Sequence, residues 1–573
     1  NLRNTGSFGD VRLYVDGNIS GSATSTGSFG MIVTPSDVGG KPAARLHKFA
    51  FLRASDPGDN STSGFSSRSG NTIFGYDAGS QIAQNNAAGH SNTFLGHFAG
   101  HGNTTGNENT FIGHIAGGTS GTGNNNVFLG SYVGYNNVSN SDNVFIGRTS
   151  GYNQRSGSQN VAIGKDALYT SRGASSNVAI GHSAAYYNTT GYQSTAIGTA
   201  AGQNATTGVG WVGIGYKAGF AQVDHGYWVA IGYEAMGGAA TTQQGNGIAI
   251  GMRAMFEVED GSGGVAVGTS ALYRLKGQYS VGIGDNAGQN ATASYNTFVG
   301  MSAGAGASSA PYGSGERNTA LGYGALTAFT TGYRNVAIGD RAGGNTSTGH
   351  SSVYAGYLAG YSATTGGGNV VIGGEAYQNG NAGTTVVIGY AAGHTTTGGG
   401  DGVFVGANAN KIGTGGSGAV LVGHYAGYVA QGSGMVHVGQ MAGQYASGSN
   451  NTFVGKDAGK GGTTSAPYSS GTDNTAVGTY AFDAFTTGNL NVAIGYQALS
   501  KETVGISTVA IGDNAGSQQV FGSHAATGNV LVGSSAGFWN VTGTGNTYLG
   551  SSAGTGASGN SNSNNTGVGG SAL

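Results

Sequence analysis

Apolar and polar positions follow a five-residue pattern that recurs along the chain, for example NVAIG at 160–164. Counted by its closing glycine, the pattern occurs 29 times between Gly75 and Gly569. Successive glycines are seventeen residues apart without a break from Gly96 to Gly232, and later spacings are mostly sixteen or seventeen. A short period kept over so many repeats predicts a solenoid in which each repeat forms one coil.

The residues of the pattern are typical of a β-strand. The position three before the glycine is Val, Thr or Ile in all 29 repeats, and the position one before it is aliphatic or Phe in 28. Side chains alternate along an extended chain, so these two positions share a face. We therefore predict that Val161 and Ile163, with Val178 and Ile180 in the next repeat, form the solenoid core. Antiparallel hairpins would need two kinds of strand, whereas every repeat here is alike.

The segments between the strands predict tight coils. Ala commonly stands three residues after the glycine and Gly four after it, and a polar stretch of Asn, Thr and Gly follows. We predict an all-β fold in which residues 71–573 form a parallel β-solenoid, or β-roll, of about 29 coils. At roughly 4.8 Å per coil, the rod is on the order of 140 Å long. Residues 1–70 hold three of the five prolines and lack the repeat, so we interpret them as an N-terminal β-rich cap or connector.

Composition limits the functional classes. Gly makes up 117 of the 573 residues, but only five residues are Pro and 8% are charged, which differs from the usual composition of disordered chains. The net charge of −2 gives no electrostatic reason to expect binding to nucleic acid or to an anionic membrane. No apolar run approaches the roughly 20 residues that a membrane-spanning helix needs. There is no Cys, so disulfides are excluded.

The run N-[TV]-[AF]-[IV]-G-x-x-A resembles the head repeat of trimeric autotransporter adhesins. The resemblance covers residues 71–573 and implies a left-handed parallel β-roll with three chains side by side. The repeat here is longer, since the family's own repeat is near fourteen residues. The segment DGNISGSATSTGSFG at 16–30 resembles connector segments in tail-fibre-like proteins of marine phages. Together these resemblances imply an elongated, homotrimeric fibre.

Four phenylalanines stand two residues before the glycine in successive repeats: Phe94, Phe111, Phe128 and Phe145. This position faces outward in the predicted coil, and such a ladder is too apolar to remain in water. We predict that these side chains pack against a partner chain or beneath a turn of their own chain. The first possibility makes them candidates for subunit packing.

Other repeated positions predict ladders along the rod. Asn begins the pattern in 17 of 29 repeats, which indicates an Asn ladder more than a ligand site. Trp211 and Trp228 are seventeen residues apart and should stack. His97 and His114 are equivalent, but no third ligand has a suitable spacing, so we predict no metal site. Acidic residues and His are scarce and scattered, and we predict no catalytic residues and no cofactor.

Two expanded coils interrupt the regular repeat. A 36-residue segment that begins at Ser308 recurs 156 residues later, and both occurrences contain extra residues. Extra residues in a solenoid coil are expelled as surface loops, where binding residues tend to collect. Pro311 with Tyr312, and Pro467 with Tyr468, are candidate binding residues because Pro fixes the backbone and Tyr can stack on a sugar. The alternative is that both loops are tolerated decoration left by a duplication.

These features favour an elongated extracellular fibre. The first expectation is a phage appendage, a tail or head fibre on the virion, that attaches to the host surface through a cell-surface glycan or protein. The alternative is a bacterial trimeric surface adhesin or a structural extracellular filament. In either case we expect a homotrimer with no inserted membrane segment and no nucleic-acid partner.

Overall fold

The computed structural model describes residues 70–573 except 83–88, 224–225, 239–245, 260–261, 311, 399, 525 and 560. The predicted cap or connector therefore lies outside the described residues, apart from Gly70. Pro311, one of the candidate loop residues, also lies outside them.

Each repeat contributes one three-residue strand, formed by the three residues that precede the repeat glycine. The strands are β1 (Thr72–Phe74), β2 (Thr93–Leu95), β3 (Thr110–Ile112), β4 (Val127–Leu129), β5 (Val144–Ile146), β6 (Val161–Ile163), β7 (Val178–Ile180), β8 (Thr195–Ile197), β9 (Val212–Ile214), β10 (Val229–Ile231), β11 (Ile248–Ile250), β12 (Val265–Val267), β13 (Val281–Ile283), β14 (Thr297–Val299), β15 (Thr319–Leu321), β16 (Val336–Ile338), β17 (Val353–Ala355), β18 (Val370–Ile372), β19 (Val386–Ile388), β20 (Val403–Val405), β21 (Val420–Val422), β22 (Val436–Val438), β23 (Thr452–Val454), β24 (Thr475–Val477), β25 (Val492–Ile494), β26 (Val509–Ile511), β27 (Val530–Val532), β28 (Thr547–Leu549) and β29 (Thr566–Val568).

Every strand pairs in parallel with the next strand in sequence, so the 29 strands form one continuous sheet. The register places equivalent residues side by side, as in Val161 beside Val178 and Ile163 beside Ile180. This arrangement confirms the predicted parallel β-solenoid, with about 28 turns and a repeat of predominantly seventeen residues.

Hydrogen bonds along the rod axis are not confined to the sheet. Past the strand, the amide of Gly151 donates to the carbonyl of Ala167 in the next coil at 2.9 Å. In the far turn, the amide of Ser156 donates to the carbonyl of Arg172 at 3.0 Å. Each coil is thus joined to its neighbour on several sides, which explains how strands of three residues form a continuous rod.

The orientation predicted for the strands is wrong. The middle residue of the strand points inward, so Ala162 and Ala179 are fully buried. Val161, Ile163, Val178 and Ile180 flank these positions and are only partly buried, so they are not the solenoid core. The turn that follows the strand lies against the middle side chain, as Gly151 does against the ring of Phe145. Ala, Gly or an aromatic ring fills the inward position in most strands and Val or Leu in four, whereas the two flanking residues of each strand face outward.

The four phenylalanines lie inside the rod. Phe94, Phe111, Phe128 and Phe145 are fully buried by their own chain, and successive ring centroids are 5.1, 4.7 and 5.0 Å apart. Their assignment as subunit-packing residues is therefore wrong, because no surface of these rings is left for a partner. Burial by their own chain was the other possibility considered from the sequence.

Residue volumes at two interior positions are complementary. In the coil of Phe145, the position four after the glycine is Gly151, which has a φ of 59°. If this residue carried a Cβ atom, that atom would overlap the Phe145 ring. Where the middle residue is Ala162, that position is the fully buried Leu168. Leu, Met, Phe or Tyr occupies the later position in nine coils, and the middle strand residue is Ala in seven of these, Val in one and Gly in one. In most of these coils a large residue at one position is matched by a small residue at the other, so the two positions share one interior space.

The predicted Asn ladder is confirmed. The backbone amide of Asn160 donates to Oδ1 of Asn143 at 2.9 Å, and its Nδ2 donates to the carbonyl of Ala174 at 2.8 Å. Asn177 repeats the first contact with Asn160 at 3.0 Å. These buried amides bond backbone groups at the start of each strand, so the Asn position has a structural role.

Candidate functional surfaces

The outward side of the sheet is an apolar surface that runs the length of the rod. We call it the strand face and define it as the first and third residues of β1 to β29. The first residue is Val in 18 strands, Thr in ten and Ile in one, and the third residue is apolar in all 29. Leu129 and Leu321 on this face are 44% and 46% exposed. The strand face therefore presents mainly aliphatic side chains, with Thr in ten strands, and contains no charged residue.

The size of the strand face is unusual for a surface left in water. With 28 steps of about 4.8 Å and two columns of side chains, it covers on the order of 1,300 Å². Monomeric soluble proteins rarely expose a continuous apolar patch of more than a few hundred Å². In a single chain the strand face is therefore an exposed apolar surface, and a binding partner usually covers a surface of this size.

A ladder of tyrosines, which the sequence reasoning missed, lies on another side of the rod. Tyr135, Tyr152, Tyr169 and Tyr186 stand five residues after successive repeat glycines, and their ring centroids are 5.2, 5.0 and 4.9 Å apart. The pKa of Tyr152 is raised, mainly because the side chain is partly buried and secondly because of the neighbouring tyrosines. Because the ring faces cover one another, a sugar ring has no room to stack between them. The seventeen-residue spacing of these tyrosines was the available signal.

The predicted stacking of the two tryptophans is confirmed. Trp211 and Trp228 stack at 4.8 Å and are buried, so they belong to the interior. His97 and His114 stack at 5.2 Å on the surface. Within the described residues, no group of three or more His, Asp or Glu side chains is arranged to hold a metal ion.

A buried histidine interrupts the interior column. His437 is the middle residue of β22, is fully buried and stacks on Phe453 at 4.9 Å. Neither ring nitrogen has a hydrogen-bond partner. Burial lowers the pKa of His437 to about 3, so the ring is neutral in the folded rod at neutral pH.

The two expanded coils lie at equivalent places on the rod. The first returns to the rod at Gly313, which pairs with Ala291, and the second returns at Ser469, which pairs with Ala446. Of the candidate binding residues described here, Pro467 is exposed, whereas Tyr312 and Tyr468 are half-buried beside the rod. Their role in binding stays a prediction.

An open polar cleft of about 380 Å³ lies beside the first expanded coil. Arg274, on its wall, lies with its guanidinium carbon 4.6 Å from the ring centroid of Tyr312, so it connects the cleft to the loop. Sequence spacing did not reveal this cleft because its residues come from four different coils. The lining residues are Arg253, Ser270, Tyr273, Arg274, Gln289, Asn290 and Ser308.

Comparisons with protein-family models, with curated proteins and with solved structures found no match to this chain. The resemblance to adhesin heads and tail fibres therefore rests on the sequence pattern alone. The structure shows the solenoid fold and does not identify a family. In the described part of the chain, no helix has the length and apolar character needed to cross a bilayer.

Proposed function

We propose that this chain is the shaft of an elongated extracellular fibre, a homotrimer whose subunits pack through their strand faces. The observation that carries the proposal is the strand face itself, a mainly apolar and uncharged surface on a rod about 130 Å long. Its area, on the order of 1,300 Å² per chain, exceeds the roughly 800 Å² that each partner contributes to a standard interface.

Packing of the strand faces accounts for the residues found there. Val, Ile and Leu side chains in regular columns can interlock with the same columns of another chain, and all of them lose water contact together. A charged side chain on this face would be left unpaired, which agrees with the absence of charge from all 29 strands. The resemblance to trimeric adhesin heads favours three chains over two.

The proposed attachment role is based on the shape of the rod and on the surface loops of the two expanded coils. A stiff rod holds its surface loops at fixed distances, and the two expanded coils lie nine coils apart, or roughly 43 Å at about 4.8 Å per coil. Repeated loops on three chains would bind a repetitive host surface multivalently. We therefore favour a phage tail or head fibre that binds a host glycan or protein. A bacterial surface adhesin or a structural extracellular filament is the alternative.

Immunogold electron microscopy of the source material tests this assignment. An antibody raised against the rod should label appendages on virions, and the purified rod should bind host cells and compete with virion adsorption. Labelling of fibres on the bacterial envelope would instead establish the adhesin or filament. Labelling confined to the cell interior would contradict both forms of the proposal.

A further inference from the structure

The lining of the cleft beside the first expanded coil contains two arginines, each ion-paired with a glutamate, and several hydrogen-bonding groups. None of its seven described lining residues is acidic, whereas two of them are arginines. The remaining lining groups are hydroxyls and amides that can both donate and accept hydrogen bonds. Its volume of about 380 Å³ lies within the usual range of small-molecule sites.

Arg274 is held in place from three directions. Its Nε donates to Oε2 of Glu257 at 3.0 Å, and its Nη1 donates to Oδ1 of Asn290 at 3.3 Å. The ring of Tyr312 lies against its guanidinium group. Asn290 is more than nine-tenths buried, so the contact that it provides is anchored in the rod. The guanidinium is therefore ordered before any ligand arrives, which lowers the entropy cost of binding.

Arg253 is positioned in the same way one coil earlier. Its Nε donates to Oε2 of Glu234 at 2.9 Å, and its guanidinium carbon lies 5.4 Å from the ring centroid of Phe256. The glutamates that bind the two arginines do not line the cleft. A guanidinium has five N–H donors, so each arginine keeps donors beyond those used in these bonds.

We propose that this cleft binds an acidic saccharide, a sugar unit that carries a carboxylate. A planar guanidinium matches a carboxylate in geometry and charge, and the amides and hydroxyls of the lining suit the hydroxyls of a sugar. Arg253 and Arg274 bind the carboxylate, and Tyr312 is a positioning residue that acts through Arg274. This inference rests on the proposed attachment function, because it names the class of ligand that the fibre holds on the host surface.

The second expanded coil provides a control within the same chain. The duplication places Tyr468 where Tyr312 stands, but Val429 and Asn408 occupy the positions of Arg274 and Arg253. The second coil thus keeps the loop tyrosine and lacks both cations. If carboxylate binding depends on the arginines, a change at Tyr468 should have no effect on it.

A glycan array tests the proposal with the full chain as the probe. The array carries uronate-containing oligosaccharides, each printed beside its carboxyl-reduced form. At least one uronate sugar should bind tenfold or more tightly than its reduced form. Arg274→Gln should remove that preference, and Arg274→Lys, which keeps the charge without the planar fork, should weaken it severalfold. Tyr312→Ala should weaken it, while Tyr468→Ala should leave it unchanged.

Equal binding of every uronate sugar and its reduced form would overturn the proposal, as would unchanged binding by Arg274→Gln. Binding to host cells, measured in parallel, separates this result from the attachment function. If both the unaltered rod and Arg274→Gln bind cells equally, attachment stands and the cleft is not its site. If the array preference depends on Arg274 but no cells are bound, the cleft stands and attachment fails.

Discussion

Exchanging residue volumes between the two complementary interior positions should preserve the rod, although each change alone should damage it. Phe145 and Gly151 lie in the coil next to Ala162 and Leu168, which carry the opposite arrangement of large and small residues. Phe145→Ala combined with Gly151→Leu would make the fifth coil resemble the sixth. The combination tests whether the middle strand residue and the later turn residue share one space.

The structure sets the expected magnitudes. Phe145→Ala leaves a cavity in a fully buried column and should cost about 3–5 kcal/mol. Gly151→Leu alone drives a side chain into the Phe145 ring, and overpacking of this kind costs about 1–3 kcal/mol. The left-handed backbone there adds about 1–2 kcal/mol, although Leu168 adopts a φ of 48° at the equivalent position. In the double variant Leu fills the cavity, so we expect a favourable coupling of about 2–3 kcal/mol.

Hydrogen exchange followed by mass spectrometry is the suitable assay, because a long repeat array does not unfold in two states. Peptides that cover residues 144–168 should exchange fastest in the single variants and more slowly in the double variant. Peptides from distant coils serve as the internal control and should not change. Additive destabilisation in the double variant would refute the shared interior space.

Two further predictions follow from the burial of strand residues. Ala162→Asp should lower the local free energy of unfolding by about 3 kcal/mol or more, since it buries an unpaired charge. Val161→Asp should lower it by less than about 1 kcal/mol in the isolated chain, because Val161 faces outward. Hydrogen exchange of the two variants checks the difference. Burial lowers the pKa of His437 from 6.5 in the unfolded chain to about 3 in the folded rod. Below pH 6.5 the unfolded chain therefore binds a proton at this residue, and the folded rod does not. Stability near β22 should therefore decline from about pH 6.5 toward pH 3, by up to about 5 kcal/mol, and His437→Phe should abolish that decline in pH-dependent hydrogen exchange. A local stability of His437→Phe that still falls over this range would contradict the assignment.

The length of the repeat could be predicted from the sequence. Which side of each strand faces the interior could not be inferred from the alternation of side chains alone. A two-residue period divides a strand into two faces and does not say which face is inside. Val161 and Ile163 were placed inward because they are β-branched, yet the inward position is most often Ala or an aromatic ring. The pairing of Phe145 with Gly151, and of Ala162 with Leu168, contained the missing information, since only positions that share a space need compensating volumes.

The cleft shows a different limit of sequence reasoning. Tyr312 was noticed because it stands in an expanded coil, whereas its partner Arg274 lies two coils earlier in an ordinary one. Which side chains meet a loop depends on the direction in which the extra residues leave the rod, and composition does not specify that direction. The repeat spacing does place Arg253 and Arg274 in adjacent coils, but it does not relate them to the loop.

The mass of the assembled rod shows directly whether the strand face packs against other copies of the chain. Multi-angle light scattering of the full chain should give three times the 56.4 kDa mass of one subunit. Ile163→Glu combined with Ile180→Glu should lower that mass while the solenoid stays folded, because both side chains point outward. A mass of one chain for the unaltered protein would mean that the strand face is open to water and does not pack against other copies.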